Sequence, residues 1–211
     1  TGLRPVEKGH IFLDGKEITN LSPKKVRAVG LAHIPEDRNT RGLNRTMSIE
    51  ENLVAVEVDK APYSKGMVMN SPAIDKHAEE MVKLFDIRPT DYKLPTSSLS
   101  GGNAQKVVVA REVSMNKKLL VAAQPTRGVD IGAIESIQKT LEEAKKNGAG
   151  VLLVSTELEE ITSLSDRIIV IHEGKITGEL SAGEANENNL GLLMMGGSVE
   201  KKLEKEGEAH E

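Results

Sequence analysis

The chain has 211 residues, enough for one α/β domain with a small subdomain inserted. Its 38% hydrophobic and 28% charged fractions suit a globular fold. Twenty-eight basic residues against 32 acidic ones give a net charge of −4, and two Phe, two Tyr and no Trp leave almost no platform for stacked bases. Nucleic acid is therefore not an expected partner. The absence of Cys excludes disulfides, thiolate zinc sites and thiol catalysis, and fits a reducing compartment. Every apolar run is shorter than the roughly 18 residues a membrane span requires. Thr1-Gly2-Leu3-Arg4 carries neither an initiator Met nor an apolar leader, and reads as the middle of a longer chain.

From the start, His10 to Ile18 reads as a hairpin around Asp14-Gly15. Ser22-Pro23 offers a helix cap followed by Pro at the first helical position. Val29 to Ile34 predicts a buried strand that stops at Pro35-Glu36-Asp37-Arg38. The stretch from about Met47 to Leu99 is polar and helix-rich, and is expected to form an inserted helical subdomain over about 46–99. Within it, a second Ser-Pro start (Ser71-Pro72) precedes Ile74, Ala78, Met81, Val82 and Phe85, the spacing of one helix face.

Ser100-Gly101-Gly102 opens a predicted helix from Asn103 to Met115, and Leu119 to Ala123 predicts a strand ending in the polar loop 124–130. After Asp130, Ile134, Ile137, Leu141 and Ala144 share one helix face, closed by Lys145-Lys146-Asn147-Gly148. Gly150 to Ser155 and Arg167 to Ile171 are uniformly apolar, as in strands covered on both faces. Glu173-Gly174-Lys175 then turns a closing hairpin into Ile176 to Leu180. Alternating strands and helices imply an α/β fold with a mostly parallel sheet. The Glu-Lys-rich segment 198–211 reads as a disordered charged tail after a domain spanning 1–197.

A phosphate loop of the G-x-x-x-x-G-K-[ST] kind is not found: the Gly-Lys pairs Gly15-Lys16 and Gly174-Lys175 are followed by Glu and Ile. No metal-ligand pattern appears among the five scattered His residues. A glycine-rich helix start nevertheless binds phosphate well, because its first N–H groups lack partners and the helix dipole is positive there. A lone Leu-Ser-Gly-Gly is an ordinary loop. Followed by a helix, a strand, Pro125-Thr126 and Asp130, it is more specific.

These features resemble the ATP-binding domain of ABC transporters. More narrowly, they resemble the second half of the tandem ATP-binding subunit of simple-sugar and nucleoside importers. The residues that carry the likeness are Pro35 to Arg38, Leu99 to Lys106, Pro125 to Asp130, Val154-Ser155-Thr156-Glu157-Leu158-Glu159-Glu160, Asp166-Arg167-Ile168 and Glu173 to Ile176. Coverage runs from the first residue to about Gly197.

The resemblance implies a P-loop NTPase-like fold whose phosphate-loop portion precedes Thr1. A missing central strand would expose apolar surface and unpaired backbone. It implies ATP and Mg as cofactors, bound mainly by a partner half, and an ATP sandwiched between two halves. By position, the magnesium-binding Asp corresponds to Ala123, the catalytic Glu to Gln124 and the switch His to Thr156. The family's Q-loop glutamine has no match between Ile34 and Glu36. Ala holds no metal water and Gln accepts no proton, although Gln orients the attacking water in some phosphoryl-transfer enzymes.

The expected picture is a degenerate site in this half beside an intact signature. Ser100 would donate to a γ-phosphate, while Gly101 and Gly102 permit close backbone approach. Asn103 and Gln105 are either nucleotide neighbours or solvated surface. Asp130 is either a loop residue reaching across the dimer or a helix cap. The implied partners are the N-terminal ABC domain of the same subunit, transmembrane permease subunits and, indirectly, an external solute-binding protein. The implied location is the cytoplasmic face of the bacterial inner membrane. A non-transport ABC-type regulator or an ATP-holding scaffold is the alternative.

Overall fold

The computed structural model describes residues 1–198, so the expected tail over 198–211 lies outside the described residues except for Ser198. The chain divides into two compact units, 1–155 and the segment from Thr156 onward.

The first unit opens with a hairpin, β1 (Phe12–Leu13) and β2 (Lys16–Glu17), turning at Asp14 (φ 51°) and Gly15 (φ 72°). Two left-handed residues in succession are what a two-residue hairpin turn requires. Helix α1 (Pro23–Val29) follows an extended Ser22 whose side chain makes no capping bond; Pro at the start costs nothing, since that N–H would be unpaired anyway. Strand β3 (Leu31–Ile34) leads into a single π turn over Arg38–Gly42. Helix α2 (Ile49–Val54) begins with a reciprocal capping box between Ser48 and Glu51.

A short hairpin, β4 (Ser64–Lys65) and β5 (Val68–Met69), which the sequence pattern did not single out, precedes α3 (Ser71–Leu84). The cap of α3 is Asn70 and not Ser71: its side chain accepts from the Ala73 N–H, and Ser71 is already helical. Ile74, Ala78, Met81 and Val82 are buried as the spacing predicts, while Phe85 caps the C-terminus and is half-buried. Helix α4 (Gly101–Ser114), strand β6 (Leu119–Ala123), helix α5 (Ile131–Lys146) and strand β7 (Gly150–Val154) complete the unit.

The central sheet is parallel, in the order β3-β6-β7, with Leu31 opposite Leu119 and Leu119 opposite Gly150. On one face Leu31, Leu119 and Val121 meet Ile18 and Val26. The alternate residues Ala32, Ile34, Leu120 and Ala122 are buried on the other face, where α4 and α5 contribute Val113 and Ala144 beside Ala32 and Leu120. Strand β7 departs from expectation. Its apolar sequence predicts cover on both faces, yet Leu152 and Val154 are 53% and 51% exposed. Among the described residues β6 is its one partner, which makes it an edge strand with the composition of a central one.

The second unit contains α6 (Leu158–Leu164), an antiparallel hairpin of β8 (Arg167–His172) and β9 (Lys175–Ser181), and α7 (Glu187–Met194). Ile168, Val170, Leu180, Leu190 and Leu193 form its core. Ile169 and Ile171 face outward, so β8 also has one covered face where two were expected.

Polar chemistry fixes the direction of α4. The Glu112 carboxylate is fully buried and accepts from Arg27 Nη1 (2.8 Å) and Nη2 (3.2 Å), the His33 N–H (3.0 Å) and Arg111 Nε (3.0 Å). Arg111 Nη1 in turn donates to the Gly42 carbonyl at 2.8 Å. One side chain thus ties α4 to α1, to β3 and, through its neighbour, to the π turn.

Glu112→Ala leaves these donors without an acceptor and a buried positive charge unmatched. We expect a loss of about 3–5 kcal/mol in urea denaturation, against about 1–3 kcal/mol for Glu112→Gln, which keeps the shape and one acceptor. The adjacent imidazole gives a second test. Burial, the largest influence, holds the His33 pKa below its ordinary 6.5. The unfolded chain binds that proton more readily, so this contribution to stability is complete above pH 6.5 and declines as the pH falls through it. A His33→Gln variant should show a shallower loss of stability between pH 7 and 5 in the same assay.

Candidate functional site

The first turn of α4 and the loop after β6 come together at one end of the parallel sheet. Ser100 is extended (φ −62°, ψ 162°) and caps α4. Its Oγ accepts from the Asn103 N–H at 3.4 Å and from Asn103 Nδ2 at 3.0 Å. Two bonds received leave the hydroxyl proton available for an acceptor outside the chain. The N–H groups of Gly101 and Gly102 make no hydrogen bond among the described residues, as expected for the opening of a helix. The group is exposed at Ser100. Its donors suit an oxyanion such as a phosphate.

The two amides the sequence left open are both committed. Asn103 Oδ1 accepts from the Arg88 N–H at 2.7 Å, and its amide nitrogen holds Ser100. Gln105 is buried and donates to the Pro125 carbonyl at 2.7 Å, tying α4 to the loop after β6. It is neither solvated surface nor an exposed nucleotide neighbour. Asp130 is exposed and caps α5, with Oδ1 accepting from the Ala133 N–H at 2.9 Å.

Gly102 has an additional reason to lack a side chain. A Cβ there would lie 2.5 Å from Asp130 Oδ2 and 3.0 Å from Ala133 Cβ. The Asp130 oxygen ends an exposed side chain that can turn aside, so the firmer contact is the Ala133 methyl on α5, which leaves little room for a side chain at Gly102.

Ala123 ends β6, and Gln124 follows in a left-handed conformation (φ 48°), with its N–H donating to the Val154 carbonyl at 2.7 Å. Neither residue offers a carboxylate. Among the described residues no cluster of three His, Asp or Glu side chains is arranged to hold a metal ion, and the Asp130 carboxylate is turned toward its helix. The donors of the first turn of α4 suit a phosphate. Thr156 belongs to the second unit, ahead of α6.

Arg38 is the residue whose place here sequence reasoning missed. Its Nη1 donates to the Arg127 carbonyl at 2.8 Å and its Nη2 to the Gly128 carbonyl at 3.0 Å. A Cβ on Gly101 would stand 2.8 Å from that same Nη2. Arg127 Nη1 donates back to Glu36 Oε1 at 2.6 Å, an exposed ion pair. Asp37 caps the π turn; the Thr40 hydroxyl and the Thr40 and Asn39 N–H groups hold its carboxyl below the ordinary range. Pro35 to Arg38 stood out in the sequence, but nothing in 90 residues of separation pointed to Gly128.

The model of the ABC transporter family matches residues 1–127. The nucleoside import ATP-binding protein NupA of Lactococcus lactis subsp. cremoris is 44% identical over 199 residues, covering 94% of this chain and 39% of that protein. The guanosine import ATP-binding protein NupO of Bacillus subtilis is 46% identical over 196 residues, covering 93% of this chain and 38% of that protein. The chain spans about two fifths of the length of the curated relatives it matches.

Two solved ATP-binding cassettes share the fold. MJ1267 in its ADP conformation has a TM-score of 0.71 at 24% identity, covering 90% of this chain and 76% of that one. Dimeric MJ0796 bound to ADP and Pi has a TM-score of 0.73 at 21% identity, covering 86% and 76%. A sequence and fold of this kind define an ABC-type ATP-binding domain. The chain belongs to the ABC transporter family, whose ATPases bind ATP with magnesium.

The contact at Gly102 makes a prediction that opposes helix propensity. Alanine is favoured over glycine in a helix by about 1 kcal/mol, yet Gly102→Ala should lower stability by about 1–3 kcal/mol because its methyl meets Asp130 and Ala133. Asp130→Ser, which keeps a capping hydroxyl and removes the crowding oxygen, should recover part of that loss in a double-mutant cycle read by denaturation.

Proposed function

We propose that this chain is an ATP-binding half of a bacterial ABC importer for nucleosides or simple sugars. It is the second, C-terminal half of a tandem subunit, and its domain spans 1–197 with a helical subdomain over about 46–99. It donates Ser100, Gly101 and Gly102 to a nucleotide whose phosphates and magnesium are held by the N-terminal half. Its own site is degenerate at Ala123, Gln124 and Thr156. The observation that carries the reading is the first turn of α4, with one hydroxyl proton and two N–H groups unused among the described residues. Identity above 40% to import ATP-binding proteins for nucleosides supports the solute class.

The chain's own residues act by binding and positioning. Ser100 presents its proton to an anionic oxygen, with Asn103 fixing the Oγ from behind. The glycine N–H groups add the positive end of α4, where negative charge is stabilised without any reorganisation. Asp130 sets the start of α5 and, through Gly102, the spacing of the two helices. Gln124 accepts no proton, so this half supplies no general base. No helix among the described residues is long and apolar enough to cross a membrane. Attachment at the cytoplasmic face rests on permease subunits, which also meet the external solute-binding protein.

The test is steady-state ATP hydrolysis by the intact import subunit. Removing the Ser100 hydroxyl deletes one hydrogen bond to a charged group, about 1.5–3 kcal/mol. Ser100→Ala should therefore lower kcat by roughly 10–100-fold. Ala123→Asp combined with Gln124→Glu should leave kcat nearly unchanged, because Thr156 still lacks an imidazole. Unchanged turnover in Ser100→Ala would refute the donated-signature reading; a second working site in the double variant would refute degeneracy.

A further inference from the structure

We propose that Arg38 is a positioning residue: its guanidinium fork holds the Ser100–Gly102 turn in register with the loop 124–130. This rests on the reading of Ser100–Gly102 as a donated phosphate-binding turn. The loop after β3 approaches the loop after β6 through one side chain that reaches two successive carbonyls, Arg127 at 2.8 Å and Gly128 at 3.0 Å. Gly128 is left-handed (φ 65°), the reversal at the point where both carbonyls meet the fork. The far side of Nη2 is occupied by Gly101, where even a methyl would stand 2.8 Å away. The guanidinium is thus wedged between the donor turn and the loop that carries Asp130.

Chemistry and charge both restrict what can take this place. A planar guanidinium spans two carbonyls at once, whereas a lysine ammonium is a point donor on a flexible stem and fixes neither. Arg38 Nε is buried without a hydrogen-bond partner among the described residues, so the fork is retained although one donor goes unused there. A cation beside the positive end of α4 is also the wrong sign for the helix. Two carbonyls gripped across 90 residues of sequence account for its presence. Glu36, pairing with Arg127 at 2.6 Å, adds a second tie between the same loops, but it is solvent-exposed and correspondingly weak.

The experiment compares Arg38→Lys, Arg38→Ala, Ser100→Ala and the double variant Arg38→Lys/Ser100→Ala in the intact import subunit. Melting temperature, Kd for ATP and kcat are measured on each. Both Arg38 variants should lower kcat about tenfold or more while Kd stays within about twofold and melting is unchanged. The double variant should be no slower than Ser100→Ala, because both changes act through one turn. Normal turnover in Arg38→Lys would show that charge suffices and overturn the fork. Losses that multiply in the double variant, or that follow a fall in melting temperature or ATP affinity, would overturn positioning. Ser100→Ala that is impaired beside a normal Arg38→Lys sinks this inference alone. Ser100→Ala that is silent sinks the donated-turn reading and the inference with it.

Discussion

A buried carboxylate with four donors around it governs where this fold places the first turn of α4. Helix α4 carries the Ser100–Gly102 turn at one end and Glu112 near the other, and Glu112 is held from three directions by Arg27, Arg111 and the His33 N–H. Burying a carboxylate is expensive, and it is stable here because each lone pair has a partner. The hydrophobic contacts of Val107, Val108 and Val109 supply the greater share of burial but allow a helix to slide or rotate. Directional bonds to β3 and α1 do not. The N-terminus of α4 therefore occupies one position relative to the sheet, as the proposed donation of that turn requires.

At the functional end, polar ties replace apolar packing. Gln105 reaches Pro125, Arg38 reaches Arg127 and Gly128, Asp130 closes on Ala133, and the Gln124 N–H joins Val154. All four anchor the loop between β6 and α5. A loop fixed at this many points loses little further entropy when a ligand arrives. The left-handed backbone at Gln124 (φ 48°) forms part of the same construction, since the turn brings its N–H to the neighbouring strand. A side chain in that conformation is held by its surroundings and not by its own preference.

Much of this was legible in the sequence, for physical reasons that differ by element. Local signals carried the hairpin at Asp14-Gly15, the Pro start of α1 and the buried face of α3, because each depends on residues within a turn or two, whereas Asp130 stayed open between a cap and a loop residue. The cap of α3 slipped by one residue because Asn70 and Ser71 are both competent and Ser71 instead begins the helix. The apolar runs of β7 and β8 gave strand identity correctly but overstated their cover, since periodicity reports composition and not what lies opposite. Candidate site residues stood out where a motif carried them. The partners of Gln105 and Arg38, and the Arg27 and His33 partners of Glu112, did not, because each lies 20 or more residues away.

Gly102 has a consequence for how variation in such chains is interpreted. Two demands fall on that position: it stands in the first turn of α4, and a Cβ there would lie 3.0 Å from the Ala133 methyl of α5 and 2.5 Å from the Asp130 carboxylate. The inner demand persists in any copy that keeps this helix pair, whether or not a phosphate is ever met there. A lineage that had ceased to use the turn would be free to exchange Ser100, whose proton meets no acceptor among the described residues, and yet would retain glycine two residues on. A glycine kept at position 102 is thus accounted for by helix spacing alone, and under the proposed donation of the turn it is variation at Ser100 that bears on the nucleotide.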